Sequence, residues 1–254
     1  MKTIEQHKSL KAYNTFGVEC FCEYFTSVST TEELRAALLN EDFSQRFILG
    51  GGSNLLLTKN LTGLCIHVDL KGIRIVEEND DLVIIEASAG ENWHEFVLWT
   101  LDQGYGGLEN LALIPGNIGT APIQNIGAYG VELKDCFVNC TTLDTITATP
   151  HRFNLEEAVF GYRNSIFKTA LKGKHIITAV QFRLTKKNHI LKTDYGVIQE
   201  ELGSKVSSPK NIAEAVIAIR QRKLPDPKKI GNSGSFFKNP IVTEIQFQNL
   251  LQEH

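Results

Sequence analysis

Among its 254 residues this sequence has few cysteines: Cys20, Cys22, Cys65, Cys136 and Cys140. Five make no even set for a disulfide framework, and none forms a C-x-x-C pair for zinc. Cys20 and Cys22 alternate along an extended stretch and share a face, so buried free thiols in a reducing cytoplasm are expected. The seven histidines are scattered. His67, expected in a strand, and His94, expected on a helix face, have no neighbour at ligand spacing, so no metal site is expected. An excess of either sign of charge is lacking as well, with 26 Lys and Arg against 29 Asp and Glu. A net charge of −3 gives no reason to expect nucleic acid or an anionic membrane as partner, and no protein partner is implied. No apolar run approaches the length of a membrane span, and the stretch from Met1 to Ser9 lacks the apolar core of a signal peptide. There is no fixed-period repeat, no P-loop, no G-x-G-x-x-G turn leading into a helix and no G-x-S-x-G elbow.

What is present reads as a globular protein of mixed α/β content, one large domain or two ordinary ones. Thr30 or Thr31 can cap a helix over Glu32 to Leu39. Strands are expected at Arg46 to Leu49, Leu64 to Leu70, Arg74 to Val76, Leu82 to Ala87, Val138 to Ile146 and His175 to Leu184. Glu91 to Gln103 reads as a helix stopped by Gly104, and Asn154 as the cap of a short helix, Leu155 to Phe160. Ser208 and Pro209 open another helix, with Ile212, Val216 and Ile219 at helical spacing. A last helix is expected over Gln246 to His254. Soft boundaries fall near residues 65 to 72 and 200 to 208.

Residues 110 to 131 carry no charge at all. Gly116, Gly119, Gly127 and Gly130 recur there among Pro115, Pro122 and small side chains. The stretch is too broken for a long helix and too apolar for a solvated loop, yet its backbone groups need partners. It is either a buried turn or a seat for a large flat ligand. Gly50-Gly51-Gly52-Ser53-Asn54 follows a strand and can form a backbone nest for phosphate, or a plain tight turn. Arg163, between aromatic and polar neighbours, can hold a carboxylate at two points or form a structural ion pair. Ser235 lacks a His-Asp partnership. In a dry site its hydroxyl can give up a proton; otherwise it is a turn serine. Phe236 and Phe237 beside it can exclude water.

Taken in order, Gly-Gly-Gly-Ser-Asn at 50–54, the run from Gly107 to Gly116, Gln124 to Gly130, Gly161-Tyr162-Arg163 and Gly234 to Pro240 resemble the UDP-N-acetylenolpyruvoylglucosamine reductase (MurB) family. The resemblance runs from Ser9 to about Pro240, and Tyr195-Gly196 is similar to the type I branch. It implies an α+β FAD-binding fold of the vanillyl-alcohol-oxidase/PCMH type. The FAD-binding subdomains would span residues 1–70 and 71–202, and a partial third, substrate-binding domain residues 203–254. It further implies bound FAD, gripped by Gly50, Gly51, Gly52, Ser53 and Asn54. Pro115, Gly116, Ile118, Gly119, Gln124, Asn125, Gly127 and Ile177 would line the flavin. NADPH would be co-substrate, and a UDP-sugar carrying an enolpyruvyl ether would be reduced in peptidoglycan precursor synthesis. Arg163 would stabilise the enolate and Ser235 protonate the adjacent carbon. Tyr162, Tyr195, Lys223, Lys238 and Asn239 would contact substrate. Family chains continue beyond the position of His254 and carry there a glutamate in a Glu-Pro-Glu-like motif that this sequence does not contain. The expectation is therefore FAD binding with reduced turnover, or a noncatalytic FAD- and nucleotide-binding remnant.

Overall fold

The computed structural model describes residues 3–235 and 237–253; the expectations that touch Met1, Phe236 and His254 lie outside them. Two sheets dominate. The first is mixed and four-stranded, built from β1 (Glu5–Ser9), β2 (Phe21–Val28), β3 (Arg46–Leu49) and β4 (Leu61–Val68) in the order β1-β2-β4-β3. β1 runs antiparallel to β2, whereas β2 and β3 both run parallel to β4. Parallel neighbours need a crossover, and α1 (Thr31–Leu38) supplies it between β2 and β3. Thr30 caps that helix by accepting from the Glu33 backbone N–H at 3.1 Å. Strand alternation sends Leu64, Ile66 and Val68 to one face with Leu34 and Leu38 of α1, and Cys65 to the other with Cys22, Phe25 and Leu49.

The second sheet is antiparallel and five-stranded, with the strand nearest the C-terminus in its centre. Its strands are β5 (Ile73–Glu78), β6 (Leu82–Ser88), β9 (Phe137–Asp144), β10 (Pro150–Asn154) and β11 (His175–Thr185). A small ribbon, β7 (Gly127–Ala128) and β8 (Val131–Glu132), stands apart from it. Helix α2 (Trp93–Asp102) begins at Asn92, whose side chain accepts from the Glu95 N–H, and buries Trp93, Phe96 and Val97 in the core that holds Ile85, Val180 and Phe182. α3 (Gly196–Leu202) packs on α4 (Pro209–Lys223), and Ile212, Val216 and Ile219 of α4 enter the same core. The expected boundary at 202/203 thus runs between two packed helices, and the start of the expected third unit shares the second sheet's core. α5 (Glu244–Glu253) has no buried residue.

Two local expectations change. Leu155 to Phe160 forms no helix, and residues 155–159 are turns. Asn154 does accept from the Glu157 N–H at 3.0 Å, but Val159 at φ 45° turns the chain left-handed before a second helical turn forms. β1, β10 and the β7–β8 ribbon are additions, short and mostly polar or glycine-rich, so period-2 hydrophobicity does not mark them. All five cysteines are free and buried. Among the described residues no helix is long and apolar enough to cross a membrane, and no group of three or more metal-binding side chains occurs.

Candidate active site

Where β3 ends, the chain turns through Gly50 to Asn54. Gly52 has φ +62°, and a Cβ there would lie 1.9 Å from the Tyr13 carbonyl oxygen, so glycine is required on both counts. A Cβ on Gly50 would meet Thr120 Cγ2 at 2.8 Å and one on Gly51 would meet Asn117 Oδ1 at 2.6 Å, which shows how closely this turn lies against the neutral segment. Asn54 Nδ2 donates to Gln124 Oε1 at 2.9 Å and ties the two together. Among the described residues, the backbone N–H groups of Gly51, Gly52, Ser53 and Asn54 meet no protein acceptor.

The Tyr13–Gly17 turn supports this arrangement from behind. The Thr15 N–H donates to Gly52 O at 3.1 Å, and the Asn232 N–H donates to Thr15 O at 3.1 Å. Thr15 Oγ1 donates in turn to Asn232 O at 2.6 Å. A Cβ on Gly231 would fall 2.0 Å from Phe16 O, so the 231–235 loop also rests on that turn.

The neutral segment divides its duties. The N–H groups of Ile118 and Gly119 donate to Glu91 O and Ala89 O, and Ile118 and Ile177 are core residues. Asn125 is wholly buried, at φ 45°; its Nδ2 donates to Gly161 O (3.0 Å) and Glu132 Oε2 (3.1 Å), and its Oδ1 accepts from the Lys134 N–H. These four residues, expected against the flavin, are not among those that line the cleft. The buried-turn reading describes these four residues, while Ile114, Pro115, Ile123, Gln124 and Ile126 of the same stretch line the cleft.

Two cavities of about 380 and 230 Å³ share Ser53, Asn54, Pro115, Gln124 and Ile126 and so form one cleft. The smaller chamber adds Gly50, Gly52 and Trp93; the larger adds Gly127, Tyr162, Arg163, Lys168, Arg220, Ser235, Phe237, Lys238 and Asn239. Gly51 and Gly116 line neither chamber. Four of the larger chamber's lining residues are cationic and none is acidic. Tyr162 has the Arg163 guanidinium 5.1 Å from its ring centre and Lys238 Nζ at 5.5 Å. Arg163 Nη1 contacts Asn125 O at 3.4 Å and Glu132 Oε1 at 3.5 Å, and its Nη2 donates to Gly127 O.

Two expected substrate contacts stand elsewhere. Tyr195 is exposed, edge-on to Tyr129 at 5.7 Å, and Lys223 is exposed in the last turn of α4. Arg220, one turn earlier, lines the cavity instead; its Nε donates to Leu113 O at 3.3 Å, and burial pulls its pKa below the ordinary value. A sequence signal for it existed. Arg220 lies four residues after Val216 and eight after Ile212, a cation on the buried stripe of the helix. Lys168, whose Nζ donates to Arg163 O at 3.2 Å, carried no comparable signal.

The family of FAD binding domains matches residues 23–155. The UDP-N-acetylenolpyruvoylglucosamine reductase of Flavobacterium johnsoniae is 53% identical over 97% of this chain and 74% of its own length. The chain belongs to the UDP-N-acetylenolpyruvoylglucosamine reductase family. The reductase of Pseudomonas putida is 46% identical over 94% of the chain and 71% of its own length. The crystal structure of UDP-N-acetylenolpyruvylglucosamine reductase (MurB) from Thermus caldophilus superposes with a TM-score of 0.68 at 26% identity, covering 94% of this chain and 76% of that one. A solvent-stable cholesterol oxidase, 13% identical with a TM-score of 0.52 over 72% of this chain and 38% of its own, shares the fold. As a member of the reductase family the chain has the expected α+β FAD-binding fold of the vanillyl-alcohol-oxidase type.

Proposed function

We propose that this chain reduces UDP-N-acetylglucosamine enolpyruvate to UDP-N-acetylmuramate with FAD and NADPH, in peptidoglycan precursor synthesis. The observation that carries this reading is the two-chambered cleft. One end offers the N–H groups of the 51–54 turn, which meet no protein acceptor among the described residues, and the other a cationic lining with no carboxylate among them. The first end fits the pyrophosphate of FAD. Pro115 and Ile123 offer apolar surface beyond it, and Arg220 positive charge for an electron-rich ring edge.

FAD, when bound, relays hydride from NADPH to the vinyl carbon of the substrate. Everything else falls to the chain. Arg163, held by two carbonyls and a carboxylate, turns its remaining N–H groups to the enolpyruvyl carboxylate and stabilises the charge that builds there. Ser235 delivers a proton to the neighbouring carbon. Its hydroxyl is a weak acid, and the positive field of the lining cations makes the transfer feasible. Tyr162, Lys238 and Asn239 take the sugar nucleotide. A cytoplasmic location suits both the NADPH supply and five reduced cysteines.

The test is to purify the chain with FAD, reduce it anaerobically with NADPH, then add the enolpyruvyl sugar nucleotide. NADPH oxidation that depends on that nucleotide is the expected result. Retained flavin without such dependence indicates a noncatalytic binding protein, and loss of flavin removes the basis of the reading.

A further inference from the structure

We infer that Glu132 is a positioning residue for Arg163, and that Gly127 is glycine to make room for the pair. The inference rests on the reaction proposed above. Arg163 occupies the third position of a tight turn closed by Gly161 N–H to Asn164 O (3.0 Å) and Asn164 N–H to Gly161 O (3.1 Å). Its φ is +53°, where such turns ordinarily carry glycine or asparagine. The backbone therefore aims the side chain at a local cost, but a long arginine still has several free rotors. Three acceptors remove that freedom: Asn125 O, Gly127 O and Glu132 Oε1. Glu132 is itself pinned. Its Oε2 takes Asn125 Nδ2 at 3.1 Å and Lys134 Nζ at 3.0 Å, which leaves Oε1 for the arginine.

Gly127 lies under the pair. A Cβ there would come 2.6 Å from Arg163 Nη1, 2.8 Å from Val131 O and 3.1 Å from Glu132 Cγ. One exposed ion pair contributes little by itself. Both partners here are partly covered, however, and the carboxylate sits behind the cation that faces the cavity. It directs the guanidinium while diluting its charge. The expected signature is slower chemistry without weaker substrate binding.

The experiment uses the FAD-loaded chain and separates the half-reactions. In Glu132→Gln, flavin is retained and its bleaching by NADPH stays within about twofold of wild type. Reoxidation by the enolpyruvyl nucleotide slows about tenfold, with KM for that nucleotide lower. In an Arg163→Met background the same change adds less than about twofold. A binding titration supplies a readout that needs no turnover. The Kd of UDP-N-acetylglucosamine divided by that of its enolpyruvyl ether rises about fivefold on Glu132→Gln in wild type, because the guanidinium is no longer neutralised, and not in Arg163→Met. Gly127→Ala crowds Arg163 Nη1 and Val131 O and slows reoxidation by a different route. Equal slowing of both half-reactions, or effects of Glu132→Gln and Arg163→Met that multiply, overturns the inference. A wild-type chain that binds the nucleotide but never reoxidises with it sinks the proposed reaction instead, and the titration still decides the role of Glu132.

Discussion

Gly17 and Gly52 form a matched pair for measuring how much the anion-binding turn depends on space. Their φ values are +64° and +62°, so an alanine at either meets nearly the same backbone penalty, about 1 kcal/mol. They differ in what a Cβ would touch. At Gly17 nothing lies within 4 Å, whereas at Gly52 the Tyr13 carbonyl oxygen is at 1.9 Å, with its carbon at 2.8 Å and Asn14 Cα at 2.9 Å. These are backbone atoms, far inside the roughly 3.5 Å at which nonbonded atoms settle, and no side-chain rotation relieves them. Overpacking of this kind adds about 2 kcal/mol, for a total near 3 kcal/mol at Gly52. In a chain of this size that amounts to a fall in Tm of about 6–12 °C for Gly52→Ala and about 2–4 °C for Gly17→Ala. Both variants are melted without flavin, because a bound ligand would add its own stabilisation, and flavin retention is then measured separately. Gly52→Ala loses flavin because the 51–54 N–H groups move with the turn; Gly17→Ala keeps it. Equal Tm losses, or full flavin retention in Gly52→Ala, refute the reasoning.

Other outcomes follow from buried groups. His94 Nδ1 accepts from the Leu113 N–H at 3.0 Å, and burial lowers its pKa below 6.5. The unfolded chain therefore takes up protons that the native one refuses. The His94 contribution is present above pH 6.5 and declines as pH falls toward the native pKa, so Tm drops less between pH 7 and 5 in His94→Gln than in wild type. Burial pushes the Cys136 and Cys140 thiols up to about 12 and raises Cys65 further. Iodoacetamide at pH 8 should leave these three unlabelled in the native protein and label them in denaturant; rapid native labelling would contradict their burial. Trp93 Nε1 donates to Leu111 O at 2.9 Å in the core. Trp93→Phe strands that carbonyl and should cost about 1–3 kcal/mol in urea denaturation.

The strands around the two cores were legible because Leu64 to Val68 and His175 to Leu184 carry dense β-branched and apolar residues. The caps at Thr30 and Ser208 were legible because capping is a local matter of one side chain and one turn. Polar edge strands such as β1 were not, since their partner lies elsewhere in the chain. At the site, glycine and the conspicuous Arg163 marked the cleft. Asn125 and Ile118 share their motif with lining residues, yet they face the other way, and only the fold decides on which side of a wall a residue stands. Glu132 escaped notice because its meaning depends on an arginine 31 positions further along.

Thr15 touches Gly52 with its amide and Asn232 with its carbonyl and hydroxyl. A single small residue near the start of the chain is thus the keystone between the loop meant for a dinucleotide's phosphates and the loop bearing Ser235, which arrives more than two hundred residues later. Loosening that keystone would tilt both loops together, so cofactor grip and proton delivery would fail as one event.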